Sequence, residues 1–182
     1  MSATPPSTPP ASLAAPLPAG RRWHPRLALA SALVGIFPPF SLNRTRMLAL
    51  RACGVRAGRA TFFWGLPKLT GRGPIASRLA IGSNCGFNDG CTFDLTAPIT
   101  IGNHVSAGHE VRFLTTLATE GSQSAAPITI GDGVWLGARC TIRGGVTVGA
   151  GTVIGAGVTV SADVPPNTLM TGAKPISLAK WR

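Results

Sequence analysis

Aliphatic side chains recur at every sixth position through the C-terminal half of the chain: Ile130, Leu136, Ile142, Val148, Ile154 and Val160 stand in one register, most followed directly by glycine. A helix face repeats every 3.6 residues and a half-buried strand alternates every second residue, so a period of six fits neither. It describes short strands joined by turns and wound into a solenoid, where each repeat buries its apolar side only against its neighbours. The register continues back through Phe113, Ala107 and Ile101 and, after a two-residue slip near Ala97-Pro98, through Phe93, Phe87 and Ile81, giving twelve hexads. Four residues after the aliphatic position stands a smaller one: Cys85, Cys91, Val105, Val111, Val134, Cys140, Val146, Thr152, Val158 and Val164. From Leu114 to Pro127 the period breaks in a stretch rich in Thr, Ser, Ala and Gly with one acid, Glu120, which reads as a loop thrown out from the coil.

Charge divides the 182 residues into two regions. Residues 1 to 78 hold eleven Lys and Arg and no acid, whereas from Leu79 onward six basic residues balance six acidic ones. Residues 1–20 are uncharged and rich in Pro, Ala, Ser and Thr, a composition that builds no packed core and predicts a disordered tail. Arg21-Arg22-Trp23-His24-Pro25-Arg26 then precedes an apolar run, Leu27 to Phe40, shorter than the roughly 20 residues that span a bilayer. Such a run suits a helix lying in the interface with its arginines on anionic lipid. A cleaved signal peptide has the same order of charge and apolarity, but no small-x-small site follows before Arg44; a transit peptide shares the composition. A second predicted helix, Leu42 to Cys53 closed by Gly54, reads as a cap over the open end of the solenoid. The charge would also attract nucleic acid, yet no aromatic-interleaved basic motif or binding module accompanies it, and nucleic acid is not an expected partner. The resulting division is a tail (1–20), a basic and apolar helical segment (21–73), the repeat domain (74–176) and a C-terminal tail (177–182).

Of four cysteines, Cys85, Cys91 and Cys140 occupy small core positions, where cysteine behaves as a compact hydrophobe. Cys85 and Cys91 are one hexad apart, on different sides of the coil, which argues against a bridge and for a reducing, cytoplasmic compartment.

Several strings carry a resemblance: Phe87-Asn88-Asp89-Gly90-Cys91-Thr92-Phe93-Asp94, Ala97-Pro98-Ile99-Thr100-Ile101-Gly102, Ile130-Gly131-Asp132-Gly133-Val134-Trp135-Leu136-Gly137 and Val164-Pro165-Pro166-Asn167-Thr168. With the hexads, they make residues 75 to 176 similar to the hexapeptide-repeat acyltransferases, in the branch of sugar and polysaccharide O-acetyltransferases that includes the maltose, nodulation-factor and colanic-acid types. The resemblance implies an all-β fold: a left-handed parallel β-helix that completes a triangular coil every three hexads, hence about four coils, assembled as a homotrimer. It implies acetyl-CoA as co-substrate and a sugar or glycan hydroxyl as acceptor.

In that family a histidine in the loop, in a context like Thr-Thr-x-His-Glu, supplies the base. Here the matching string is Thr115-Thr116-Leu117-Ala118-Thr119-Glu120, and the histidine position is Ala118. A methyl group accepts no proton, and loss of a general base removes about 10²- to 10⁴-fold of rate. His109, beside Glu110 and one hexad upstream of the loop, is the candidate substitute base; His104 reads as a turn residue. Asn88 and Asp94 match polar positions of the acceptor pocket, although Asn and Asp also stabilise turns by themselves. Trp135 matches an aromatic that flanks the acceptor, and equally suits packing between subunits. Gly137, Ala138, Arg139 and Ala156 resemble the trough that holds the pantetheine arm, with Arg139, Arg143 and Lys174 as the available cations for its phosphates. Two histidines five residues apart, His104 and His109, hint at the zinc lyase of the same fold, but a third histidine ligand is lacking and no metal is expected. The reading is an O-acetyltransferase in the cytoplasm, with peripheral contact at the inner membrane face; the rival is a trimeric scaffold without turnover, favoured by Ala118.

Overall fold

The computed structural model describes residues 15–16, 43–119, 122–172 and 175–177. The apolar run 27–40, the C-terminal residues 178–182, Glu120 and Lys174 lie outside the described residues, as does the tail 1–20 apart from Ala15–Pro16. No helix among the described residues is long and apolar enough to cross a membrane.

Parallel strands stack into a left-handed β-helix with three walls. The first wall stacks Arg56–Ala57, Leu79–Ile81, Ile99–Ile101, Ile128–Ile130 and Thr147–Val148. The second stacks Phe62–Phe63, Gly86–Phe87, Ser106–Ala107, Trp135–Leu136, Val153–Ile154 and Thr168–Met170, with Pro175–Ser177 added antiparallel. The third stacks Lys68–Thr70, Thr92–Asp94, Arg112–Leu114, Thr141–Arg143 and Thr159–Val160. Register follows the hexads: Ile81 lies over Ile101, Ile101 over Ile130, and Ile130 over Val148.

The first and third walls therefore carry five strands each and the second six parallel ones, where the predicted twelve hexads make about four coils. The additional coil precedes the others, from Arg56 to Thr70, and so begins before residue 74. Its core positions Ala57, Phe63 and Leu69 keep the six-residue spacing, and Ile75 and Ile81 continue it, although Ile75 sits buried at a 3-10 turn, Ala76–Arg78, instead of on a wall.

Inside the prism the aliphatic and small positions are buried together. Phe63 stacks on Phe87 at 4.8 Å, Phe93 on Phe113 at 4.7 Å, and Phe87 meets Phe93 edge-on at 5.8 Å. Ala107, between Phe87 and Leu136 in the second wall, is the one small residue at an aliphatic position of its coil, and its missing volume balances the neighbouring rings. Cys85, Cys91 and Cys140 are buried free thiols. Burial pushes the Cys91 thiol up to about 11 and the Cys140 thiol to about 12, so both stay protonated near neutrality.

Helix Asn43–Ala52 lies at the open N-terminal end against Phe62–Phe63. Met47 and Leu50 are buried with the core while Leu48 faces outward, 66% exposed. Gly54 ends the helix at φ +101°, a conformation that favours glycine, and its N–H donates to the Arg51 carbonyl at 2.9 Å. The buried Arg46 donates from Nη1 to the Trp64 carbonyl at 3.0 Å, tying helix to first coil.

Candidate functional site

Three columns of turns form the edges of the prism, and the predicted site residues other than Trp135, on a wall, and Lys174, outside the described residues, divide between two of them. The second edge, joining second wall to third, is closed by backbone hydrogen bonds between successive coils. Glu110 N–H donates to the Asp89 carbonyl at 3.0 Å, Arg139 N–H to His109 at 2.8 Å, and Gly157 N–H to Ala138 at 2.8 Å. Asn88, His109, Gly137, Ala138, Arg139 and Ala156 therefore share one strip over four coils, about 14 Å at the usual strand spacing.

His109 is exposed on this strip, and so is Ala156. Arg139 Nε pairs with Glu110 Oε2 at 2.9 Å, with both side chains mostly in solvent. Gly137 owes its identity to packing: a Cβ there would lie 2.5 Å from the Ala156 nitrogen and 2.8 Å from the Ile154 carbonyl oxygen. Gly157 is the opposite case, since a Cβ would meet nothing within 4 Å and its φ of +72° is what selects glycine.

The third edge, joining third wall to first, carries the insertion. Thr116–Thr119 and Ser122–Ala125 pair as an antiparallel hairpin, and Ala15–Pro16 adds a short strand against Ser124–Ala125. Ala118 pairs with Gln123 in this hairpin, so the position that matches the family's histidine and the candidate base His109 lie on different edges of the chain.

Asp94 ends the third-wall strand beneath the hairpin and is 9% exposed. Its Oδ1 accepts from Thr96 N–H at 3.1 Å and the Thr96 hydroxyl at 2.6 Å, and its Oδ2 accepts from Thr116 N–H at 2.7 Å. Thr115 completes the joint, donating from Oγ1 to the Asp94 carbonyl at 2.7 Å and accepting from Ala97 N–H at 3.1 Å. Burial works to raise the carboxyl's pKa, but the hydrogen bonds from Thr116 and Thr96 outweigh it and hold Asp94 below the ordinary aspartate range. An ionised carboxylate thus fastens the base of the hairpin. Thr115 and Thr116 were legible in the sequence only as loop residues; their separations of 21 and 22 residues from Asp94 become contacts through coil stacking, whereas Thr96 meets Asp94 locally.

Trp135 stands on the outer face of the second wall, 58% exposed, between Ser106 and Val153. His104 is exposed on the first edge at φ +56°, its N–H donating to the Ser83 carbonyl at 2.9 Å. Among the described residues no three His, Cys, Asp or Glu side chains gather to hold a metal ion.

Comparison with known proteins gives a consistent pattern. The bacterial transferase hexapeptide family (six repeats) matches residues 127–162. A provisionally named acetyltransferase of Schizosaccharomyces pombe is 45% identical over 98 residues, which is 49% of this chain and 47% of that protein. The chain thus spans about half the length of this curated relative. Among solved structures, a hexapeptide-repeat acetyltransferase of Vibrio cholerae superposes with a TM-score of 0.70 at 27% identity, covering 85% of this chain and 91% of the other. The Vibrio protein has also been solved with acetyl coenzyme A. A maltose O-acetyltransferase of Clostridium difficile superposes with a TM-score of 0.69 at 26% identity, over 79% of this chain and 78% of the other.

Proposed function

We propose that the chain, which is similar to hexapeptide-repeat acetyltransferases, moves an acetyl group from acetyl-CoA to a hydroxyl of a sugar or polysaccharide precursor. The observation that carries this reading is the second edge, where an exposed imidazole, His109, shares a strip with turns that bear no side chain larger than a methyl at Gly137, Ala138, Ala156 and Gly157. Such turns let an extended pantetheine arm approach backbone amides, and Arg139 with Lys174 supplies positive charge for the phosphates.

In this reading His109 takes the proton from the acceptor hydroxyl as its oxygen attacks the thioester carbonyl. Backbone N–H groups receive the tetrahedral oxyanion. Collapse of that intermediate expels the coenzyme A sulfur, which recovers the proton from the imidazolium, leaving acetyl ester and free thiol. Asn88, Asp94 and Trp135 are assigned to the acceptor side, Asp94 through the hairpin it holds. An edge of a prism is convex and encloses nothing alone, so a cleft requires a second copy of the chain against it. This argument supports a homotrimer. The basic N-terminal half supports cytoplasmic placement at an anionic membrane surface.

A second reading, a scaffold without turnover, is favoured by Ala118 in the hairpin and by the separation of His109 from that hairpin. Incubation of the full-length protein with acetyl-CoA and a glycan panel distinguishes them, using wild type, His109→Ala and Ala118→His. The expected result is turnover by wild type and a loss of about 10²- to 10⁴-fold in His109→Ala. Turnover only in Ala118→His would establish the scaffold reading, and equal rates in wild type and His109→Ala would remove His109 from the mechanism.

A further inference from the structure

A cavity of about 780 Å³ lies where the helix Asn43–Ala52 meets the first coil, at the N-terminal end of the second edge: Trp64 N–H donates to the Phe87 carbonyl at 2.9 Å, one coil before Asn88, whose N–H donates to the Ala107 carbonyl at 3.0 Å. Arg44, Met47 and Arg51 line it from the helix, and Ala60, Thr61, Phe62 and Trp64 from the coil. Positions 44, 47 and 51 fall on one helix face. The two arginines stand two turns apart, roughly 10 Å along the axis, so they bracket the cavity at either end.

Its floor is aromatic: Phe62 and Trp64 meet edge-on with ring centroids 4.5 Å apart, and Trp64 lies against Gly86, where a Cβ would come within 2.9 Å of the indole. Thr61 is engaged elsewhere, its hydroxyl donating to the Gly82 carbonyl at 2.7 Å and accepting from Cys85 N–H at 3.2 Å. The polar capacity of the cavity is therefore cationic. Arg51 is held in place through Nη2, which donates to the carbonyls of Ala57 at 3.1 Å and Gly58 at 2.6 Å, two bonds on one nitrogen of a group with five donors. Among the described residues no acid pairs with Arg44 or Arg51, and residues 1 to 78 contain none.

A volume in the range of small-molecule sites, an apolar ring-lined floor and two guanidiniums without carboxylate partners suit one ligand chemistry. We propose that this cavity binds an organic phosphate, the phosphate on Arg44 and Arg51 and an apolar or ring body on Phe62 and Trp64. A phospholipid head with its first methylenes and a soluble nucleotide both present that chemistry.

Trp64 provides the readout. Full-length protein is titrated with dioctanoyl phosphatidic acid below its micellar concentration, adenosine monophosphate, dioctanoylglycerol and inorganic phosphate, following tryptophan fluorescence and, independently, heat of binding. Binding of either organic phosphate at least tenfold tighter than of dioctanoylglycerol and inorganic phosphate is expected, with the tighter of the two naming the source. In Trp64→Phe the fluorescence change should vanish while heat remains. Arg44→Gln, an exposed change that leaves the Arg51 anchor intact, should weaken binding about tenfold, and Arg44→Gln with Arg51→Gln should abolish it. Saturating S-acetylpantetheine, which offers the donor strip its pantetheine arm without a nucleotide phosphate, should leave the titration unchanged, which separates this site from that strip. Absence of binding to millimolar concentration, unaltered affinity in both arginine variants, or displacement by S-acetylpantetheine would overturn the proposal.

Discussion

The second and third edges of the same prism use polar residues in opposite ways. On the third edge the carboxylate of Asp94 accepts from the Thr96 amide and hydroxyl and the Thr116 amide, the Thr115 hydroxyl donates to the Asp94 backbone carbonyl, and the product is a fixed hairpin. On the second edge the amides of Glu110, Arg139 and Gly157 satisfy the coil stack while His109 and Ala156 face solvent and the Arg139 guanidinium makes a surface ion pair. A residue type that suggests chemistry is thus a poor guide by itself. What separates anchor from reagent is whether neighbouring coils have already consumed its hydrogen-bonding capacity.

The contrast breaks most severely where the second edge is packed instead of open. At Gly137 the atoms nearest an added Cβ are all backbone, at 2.5 to 2.8 Å, so none can swing aside. Gly137→Val should cost about 3 kcal/mol or more of stability, at the upper end of overpacking effects. Gly157→Ala, with open space and only a positive φ against it, should cost roughly 1 kcal/mol. Urea unfolding of the two variants checks the ranking; equal losses would show that the strip is not stacked as described.

The third edge is tested through Asp94. Asp94→Asn keeps the shape but removes the charge that three donors share, and should cost about 2 kcal/mol near neutral pH, with faster proteolysis within residues 114–127. The pH dependence has a definite sign. Because the folded carboxyl titrates below its unfolded value of roughly 3.9, its contribution is complete above that pH and is lost as pH falls toward the folded pKa. The gap between wild type and Asp94→Asn should therefore be constant from about pH 5 to 8 and narrow below about pH 4. A gap that widened on acidification would contradict the anchored carboxylate.

The repeat made the walls legible because a core position must recur whenever a coil closes, and composition cannot disguise that. The first coil was readable by the same rule, since Ala57, Phe63, Leu69, Ile75 and Ile81 hold the period. It was obscured because Thr61 and Pro67 stand at the small positions and Gly71 to Pro74 interrupt the turns, so the stretch reads as part of the basic and apolar helical segment 21–73. The helix end at Gly54 was legible from its cap. The partners of Asp94 were not, because bonds between coils depend on which turn lies over which, and that follows from the slip at Ala97-Pro98 and the insertion after Leu114. For the same reason the cavity beneath Arg44 and Arg51 has no signature beyond charge: its floor belongs to the first coil, which precedes the twelve regular hexads.

The smallest expected effect sharpens the comparison furthest. Arg139 and Glu110 form an ion pair with side chains 76% and 58% exposed, a class of interaction that contributes between nothing and about 1 kcal/mol. Glu110→Gln should therefore leave stability within about 0.5 kcal/mol of wild type. Its consequence belongs to binding: removing the carboxylate leaves Arg139 without its counter-charge on the strip assigned to the donor. Coenzyme A carries several phosphate charges, so its affinity should rise by about two- to fivefold in Glu110→Gln at low ionic strength. The gain should disappear near 0.5 M salt, where the screening length falls well below 10 Å. Calorimetric titration of both proteins at two salt concentrations reads this directly. An unchanged affinity at low salt would mean that Arg139 does not face the phosphates, and the cations of the donor site would have to be sought on another edge.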